Sequence, residues 1–74
     1  MTIKQLQKVF DLNDNQHVRI MDAKNLRTIE SDEGWCLEPS YDYEGYNYEE
    51  IERILSLRIY GIEFNKNTLT IWAN

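Results

Sequence analysis

Little in this chain can do covalent chemistry. Cys36 is its only cysteine and His17 its only histidine. A lone cysteine excludes an intramolecular disulfide, and nothing else in the sequence calls for an oxidising compartment. There is no Cys-x-x-Cys, no zinc-ligand spacing and no phosphate-cradling glycine loop. No apolar window approaches membrane-spanning length, and the first residues lack the apolar core of a signal peptide, so the expectation is cytoplasmic residence. Positive charge is sparse as well. Lys4, Lys8, Arg19, Lys24, Arg27, Arg53, Arg58 and Lys66 never adjoin, and the net charge is −5. That balance disfavours direct contact with a phosphate backbone or an anionic membrane surface.

At 74 residues the chain makes one domain, near the lower limit at which a core holds itself together. A domain of that size has no room between larger elements for a deep substrate cavity. With one histidine and one thiol, a nucleophilic triad would need His17 and Cys36 to meet beside an orienting acid. The simpler reading is a structural thiol and an exposed ring. The expectation is a protein with no catalytic residue, no cofactor and no metal.

Hydrophobic spacing gives the elements. Thr2-Ile3-Lys4-Gln5 has the form of a capping box, and Ile3, Leu6 and Phe10 follow at helical intervals, so a short helix opens the chain. Asp11 to Gln16 ends it as a loop. From His17 to Asp22, Val18 and Ile20 alternate with His17, Arg19 and Met21 as in a half-buried strand. Ala23-Lys24-Asn25 reads as a turn, Asn25 being best suited to a left-handed conformation. Leu26 to Glu30 returns as a second strand, Ser31 to Gly34 turns again, and Trp35-Cys36-Leu37 is a short third strand. Pro39 keeps Glu38 extended.

Asn47-Tyr48-Glu49-Glu50 starts a second helix, with Asn47 as its cap and acids in the first turn, where the helix dipole favours them. It runs to about Leu57. A hairpin closes the chain. With Lys66-Asn67 as the turn, Phe64 faces Leu69, Ile62 faces Ile71, and Trp72 lies across from the bare backbone of Gly61, an arrangement in which the ring covers the glycine. A competing reading carries the helix to Tyr60 with Gly61 as its stop. The strand is preferred because Leu69 to Trp72 needs a pairing partner. The resulting order is helix, three strands, helix, two strands: a small α+β domain with one antiparallel sheet covered by two helices. Its predicted core is Leu6, Phe10, Val18, Ile20, Ile29, Ile51, Ile54, Leu55, Ile62, Phe64, Leu69 and Ile71.

Against these absences stands one concentration. Between Glu30 and Glu52 lie nine of the thirteen acids, none of the eight bases and four of the five tyrosines. Tyr41-Asp42-Tyr43-Glu44 alternates ring and carboxylate, and Gly45 then allows a reversal. An extended segment of that pattern puts rings on one side and charges on the other. Such a surface attracts a cationic partner at long range and grips it on contact. The candidate binding residues are Glu38, Tyr41, Asp42, Tyr43, Glu44, Tyr46, Tyr48, Glu49 and Glu50. A calcium loop is a poor alternative, since Tyr46 and Tyr48 fall where ligands belong and Gly45 is out of register. The plainer alternative stays open: tyrosines suit half-buried positions, and acids solvate the outside of any small domain.

The opening Thr2-Ile3-Lys4-Gln5-Leu6 and the closing Asn67-Thr68-Leu69-Thr70-Ile71-Trp72 resemble the ends of small accessory proteins from phages and mobile elements of Gram-positive bacteria. Compact acidic members of that group include inhibitors of host defence, the anti-CRISPR proteins among them. Several of those resemble DNA in charge and occupy a nuclease's nucleic-acid channel. The resemblance implies a bacterial cytoplasm and a partner with a basic surface, such as a nucleic-acid-binding enzyme. It transfers no residue role. The alternative expectation is a structural or scaffold subunit that assembles through the sheet edge at Leu69–Trp72.

Overall fold

A computed structural model describes residues 1–12, 15–35, 37 and 45–74. Its elements are α1 (Ile3–Val9), β1 (His17–Asp22), β2 (Arg27–Ser31), α2 (Tyr48–Leu55), β3 (Ile59–Asn65) and β4 (Thr68–Ala73). The four strands form one sheet in the order β2-β1-β4-β3. Two antiparallel hairpins, β1–β2 and β3–β4, lie side by side, and they join where β1 runs parallel to β4. The sheet is therefore mixed, which corrects the expectation of a purely antiparallel one. A parallel neighbour needs a long crossover connection, and the chain between β1 and β4 supplies it. The two joined strands are also the most regularly apolar ones, so the centre of the sheet is where they bury most.

Residues alternate along each strand between two faces. Val18, Ile20 and Asp22 of β1 share a face with Leu69, Ile71 and Ala73 of β4, and all six are buried. Ile29 of β2 joins them opposite Ile20. Ile3 and Leu6 of α1 and Ile51, Ile54 and Leu55 of α2 belong to the same core, so the helices cover this face. The other face, with His17, Arg19, Met21, Thr70 and Trp72, carries no described helix.

Both helix starts form as their sequences predict. Thr2 Oγ1 accepts from the Gln5 N–H at 3.2 Å while Gln5 Oε1 accepts from the Thr2 N–H at 2.9 Å. Asn47 Oδ1 accepts from the Glu50 N–H at 2.9 Å. The hairpin register is also the expected one, with Phe64 against Leu69, Ile62 against Ile71 and Gly61 against Trp72. The competing helix through Tyr60 is excluded: α2 stops at Leu55 and β3 begins at Ile59.

Several expectations are corrected. Phe10 is 40% exposed. The chain has left the helix there, at φ −120 and ψ 105, so Phe10 no longer extends the stripe begun by Ile3 and Leu6. Ile62 and Phe64 point to the helix-bearing face yet remain 51% and 48% exposed, because the helical layer stops short of β3. Ile3, Leu37, Leu57 and Ala73 fill the core instead. The left-handed residue of the β1–β2 turn is Leu26 (φ 53), and Asn25 is occupied in binding Asp22. Trp35 and Leu37 lie in no strand, and Cys36 is outside the described residues. Gly34, at φ 71, aims them at α1, where the Trp35 Nε1–H donates to the Phe10 carbonyl at 2.6 Å and Gln7 Nε2 donates to that of Leu37 at 3.4 Å. Finally, β4 pairs on both sides, so Leu69–Trp72 is no sheet edge; the edge of that hairpin is β3.

Candidate functional site

Of the candidate binding residues, Glu38, Tyr41, Asp42, Tyr43 and Glu44 lie outside the described residues. Tyr46, Tyr48, Glu49 and Glu50 stand at the start of α2, and they divide into two pairs. Tyr46 and Glu50 are half-buried and turn to the domain: the Arg27 guanidinium lies over the Tyr46 ring, 5.0 Å from its centre, and Arg27 Nη1 is 3.7 Å from Glu50 Oε2. Tyr48, 58% exposed, and Glu49 face outward. The Asn47 cap fixes both, because it sets the direction in which the first turn leaves the loop.

Arg27 is the base that the acidic stretch lacks in sequence. Its Nε–H donates to Asp22 Oδ2 at 2.9 Å, and Asp22 is almost fully buried. The Asn25 backbone N–H donates to Oδ1 at 3.1 Å and the Asn25 Nδ2–H to Oδ2 at 2.8 Å. Burial by itself pushes the Asp22 carboxyl up. The bonds from Asn25 and Arg27, with the Arg27 charge, outweigh that burial and hold it below the ordinary aspartate value. A single cation thus ties the β1–β2 hairpin to the start of α2. Asp22 follows Val18 and Ile20 at the same two-residue interval, and that alternation is the signal by which its burial could be read from sequence. Asp22 and Arg27 also bracket the turn, which makes them cross-strand partners.

A second charged group lies on the open face. Arg19 Nε donates to Glu30 Oε1 at 2.8 Å, while His17 stands 3.4 Å from Asp32 and 3.8 Å from Glu30. The His17 ring is half-buried, which corrects the exposed ring expected from the sequence. Glu30 is thereby engaged by neighbours, while Asp32 and Glu33 at this end are exposed to solvent. Among the described residues no group of three or more His, Cys, Asp or Glu is placed to hold a metal ion.

One end of the open face carries a shallow cleft of about 340 Å³ whose walls include Met21, Leu26, Tyr60 and Trp72. Trp72 crosses Gly61 closely: a Cβ on Gly61 would stand 3.2 Å from Trp72 Cε3. Among the described residues, no helix is long and apolar enough to cross a membrane. Comparison of the chain with protein-family models, with curated proteins and with solved structures finds no match.

Proposed function

We propose that the protein is a non-enzymatic binding module whose partner is a protein with a basic surface, and that the acidic, tyrosine-rich stretch ending at the start of α2 is its contact face. The observation that carries this reading is the orientation of the first turn of α2. Tyr48 and Glu49 face solvent, while Arg27, which reaches the start of α2 from β2, is held by Asp22, Glu50 and the Tyr46 ring. Arg27 is therefore not turned towards Glu49, whose carboxylate stands exposed beside the Tyr48 ring, with Arg53 one helical turn further on. Carboxylates at a rim chiefly speed association and make it salt-sensitive, whereas a ring that becomes buried chiefly slows dissociation. In the setting implied by the chain ends, the partner is a nucleic-acid-binding enzyme of a bacterial host, such as a defence nuclease. The protein then acts by imitating nucleic-acid charge or by covering a basic patch.

The test is capture from bacterial lysate at low and high salt, followed by kinetics with the captured protein. Neutralising Asp42, Glu44 and Glu49 to Asn or Gln should slow association and flatten its salt dependence. Tyr48→Ala should speed dissociation by about tenfold or more if the ring is a hot spot. Tyr48 is a cleaner probe than Tyr46, whose loss also disturbs Arg27. Unchanged binding by the neutralised variant would remove the acidic face from the function. Simultaneous binding of nucleic acid and this protein would remove charge imitation.

A further inference from the structure

β3 is an edge strand. β4 pairs with one of its sides, and among the described residues no strand pairs with the other. Natural sheets usually blunt such an edge with lysine, proline or a covering helix, because its unpaired N–H and C=O groups are a template for another strand. Here the strand Ile59–Asn65 contains neither lysine nor proline. Its one charge is Glu63, and Tyr60, Ile62 and Phe64 are all exposed. Protection is confined to its start: Thr2 bridges Arg58, the Ile59 N–H donates to the Met1 carbonyl at 2.8 Å, and a bulge follows at Tyr60, which leaves a regular run from Gly61 to Asn65.

The two faces of that run ask for different chemistry. Ile62 and Phe64 lie on the helix-bearing face opposite Ile71 and Leu69, and Glu63 lies on the open face opposite Thr70. A strand added along β3 meets apolar side chains on one face and a carboxylate on the other. Directly opposed side chains in a sheet interact, with unlike charges favoured and like charges disfavoured. We propose that β3 is a strand-addition site for an extended segment of a partner protein in which apolar and basic residues alternate. Main-chain hydrogen bonds would supply affinity, and the alternation would supply selection.

A second copy of the chain is a poorer occupant. Antiparallel self-pairing centred on Ile62 runs into Met1 and Thr2, which already lie along Arg58 and Ile59, and brings the two Glu63 side chains to a diagonal. It also joins two bodies that each carry −5. The inference rests on the reading of a cationic partner, but it concerns the residues of β3 and none of the acidic stretch. The two can therefore fail separately.

The experiment titrates the full chain with a short peptide alternating valine and lysine, and with its valine–glutamate counterpart, following backbone amide signals and hydrogen exchange. The valine–lysine peptide should bind about tenfold tighter and slow exchange in β3. Glu63→Lys should reverse the preference. Glu33→Lys, the same change of net charge on an exposed bend away from β3, should leave it within about twofold. An equal shift from both variants would reduce the effect to net charge and overturn the proposal. Binding without slowed exchange in β3, or self-association of the free protein through β3, would overturn it too. The variant neutralised at Asp42, Glu44 and Glu49 leaves β3 intact, so its behaviour reports on the acidic face alone.

Discussion

Arg27 Nε and Asp22 Oδ2 meet at 2.9 Å on the same sheet face as Ile20 and Ile29, so the β1–β2 hairpin is closed from the inside by an ion pair. The Asp22 side chain has no exposed surface, while that of Arg27 keeps about a quarter of its own. Removing the acid alone would leave the turn N–H of Asn25 and the Arg27 charge without their shared acceptor.

Asp22→Ala should therefore cost about 3 kcal/mol at neutral pH, in the range seen when one partner of a buried pair is deleted. The pH dependence has a definite sign. The Asp22 carboxyl lies below its ordinary value in the folded state, so the unfolded chain takes up its proton first as the pH falls. Its contribution is present above about pH 4 and is lost as the pH drops towards the lowered folded value. Urea unfolding along an acid series should show a shallower loss of stability for Asp22→Asn than for the wild type. Equal slopes would mean that Asp22 is not ionised within the fold.

Ile54 and Ile62 are the same residue type on the same side of the molecule, and they should respond differently. Ile54 has no exposed surface, and Ile54→Ala should cost about 2–5 kcal/mol, enough to remove much of a small domain's stability. Ile62 is half-exposed, and Ile62→Ala should cost less than about 1 kcal/mol. Comparable losses in chemical denaturation would show that the helical layer extends over β3.

Gly61→Ala sets two effects against each other. Alanine in a strand is favoured over glycine by about 0.5–1 kcal/mol. The added methyl, however, meets Trp72 Cε3 at 3.2 Å, and overpacking of that kind costs about 1–3 kcal/mol. A net loss is expected. Trp72→Leu removes the indole and should make Gly61→Ala neutral or favourable, a coupling that a double-mutant cycle measures.

What could be read in the sequence was mostly local. The Thr2–Gln5 box and the Asn47 cap depend on residues three apart. The β3–β4 register follows from a two-residue turn and the alternation on either side of it. What could not be read was relational. Nothing in the alternation of His17–Asp22 or Thr68–Ala73 names the neighbour of either strand, so the parallel seam leaves no mark in it. The pattern at Ile62 and Phe64 shows which face they take, not whether a helix reaches them. Arg27 comes to the acidic stretch from across the chain, so counting charges in sequence showed that stretch without a base.

The parallel seam also governs how the molecule can assemble. Each hairpin closes within its own neighbourhood of the chain, but β1 and β4 meet across about fifty intervening residues, and the entropy of closing that loop must be met before their contacts repay it. Neither hairpin alone encloses a core. Side chains at the seam, Ile20 and Ile71 above all, make their contacts only once that loop has closed. A chain cut before Thr68 would lose β4 whole, leaving the β1–β2 ribbon and a lone β3 with no strand between them and no common interior.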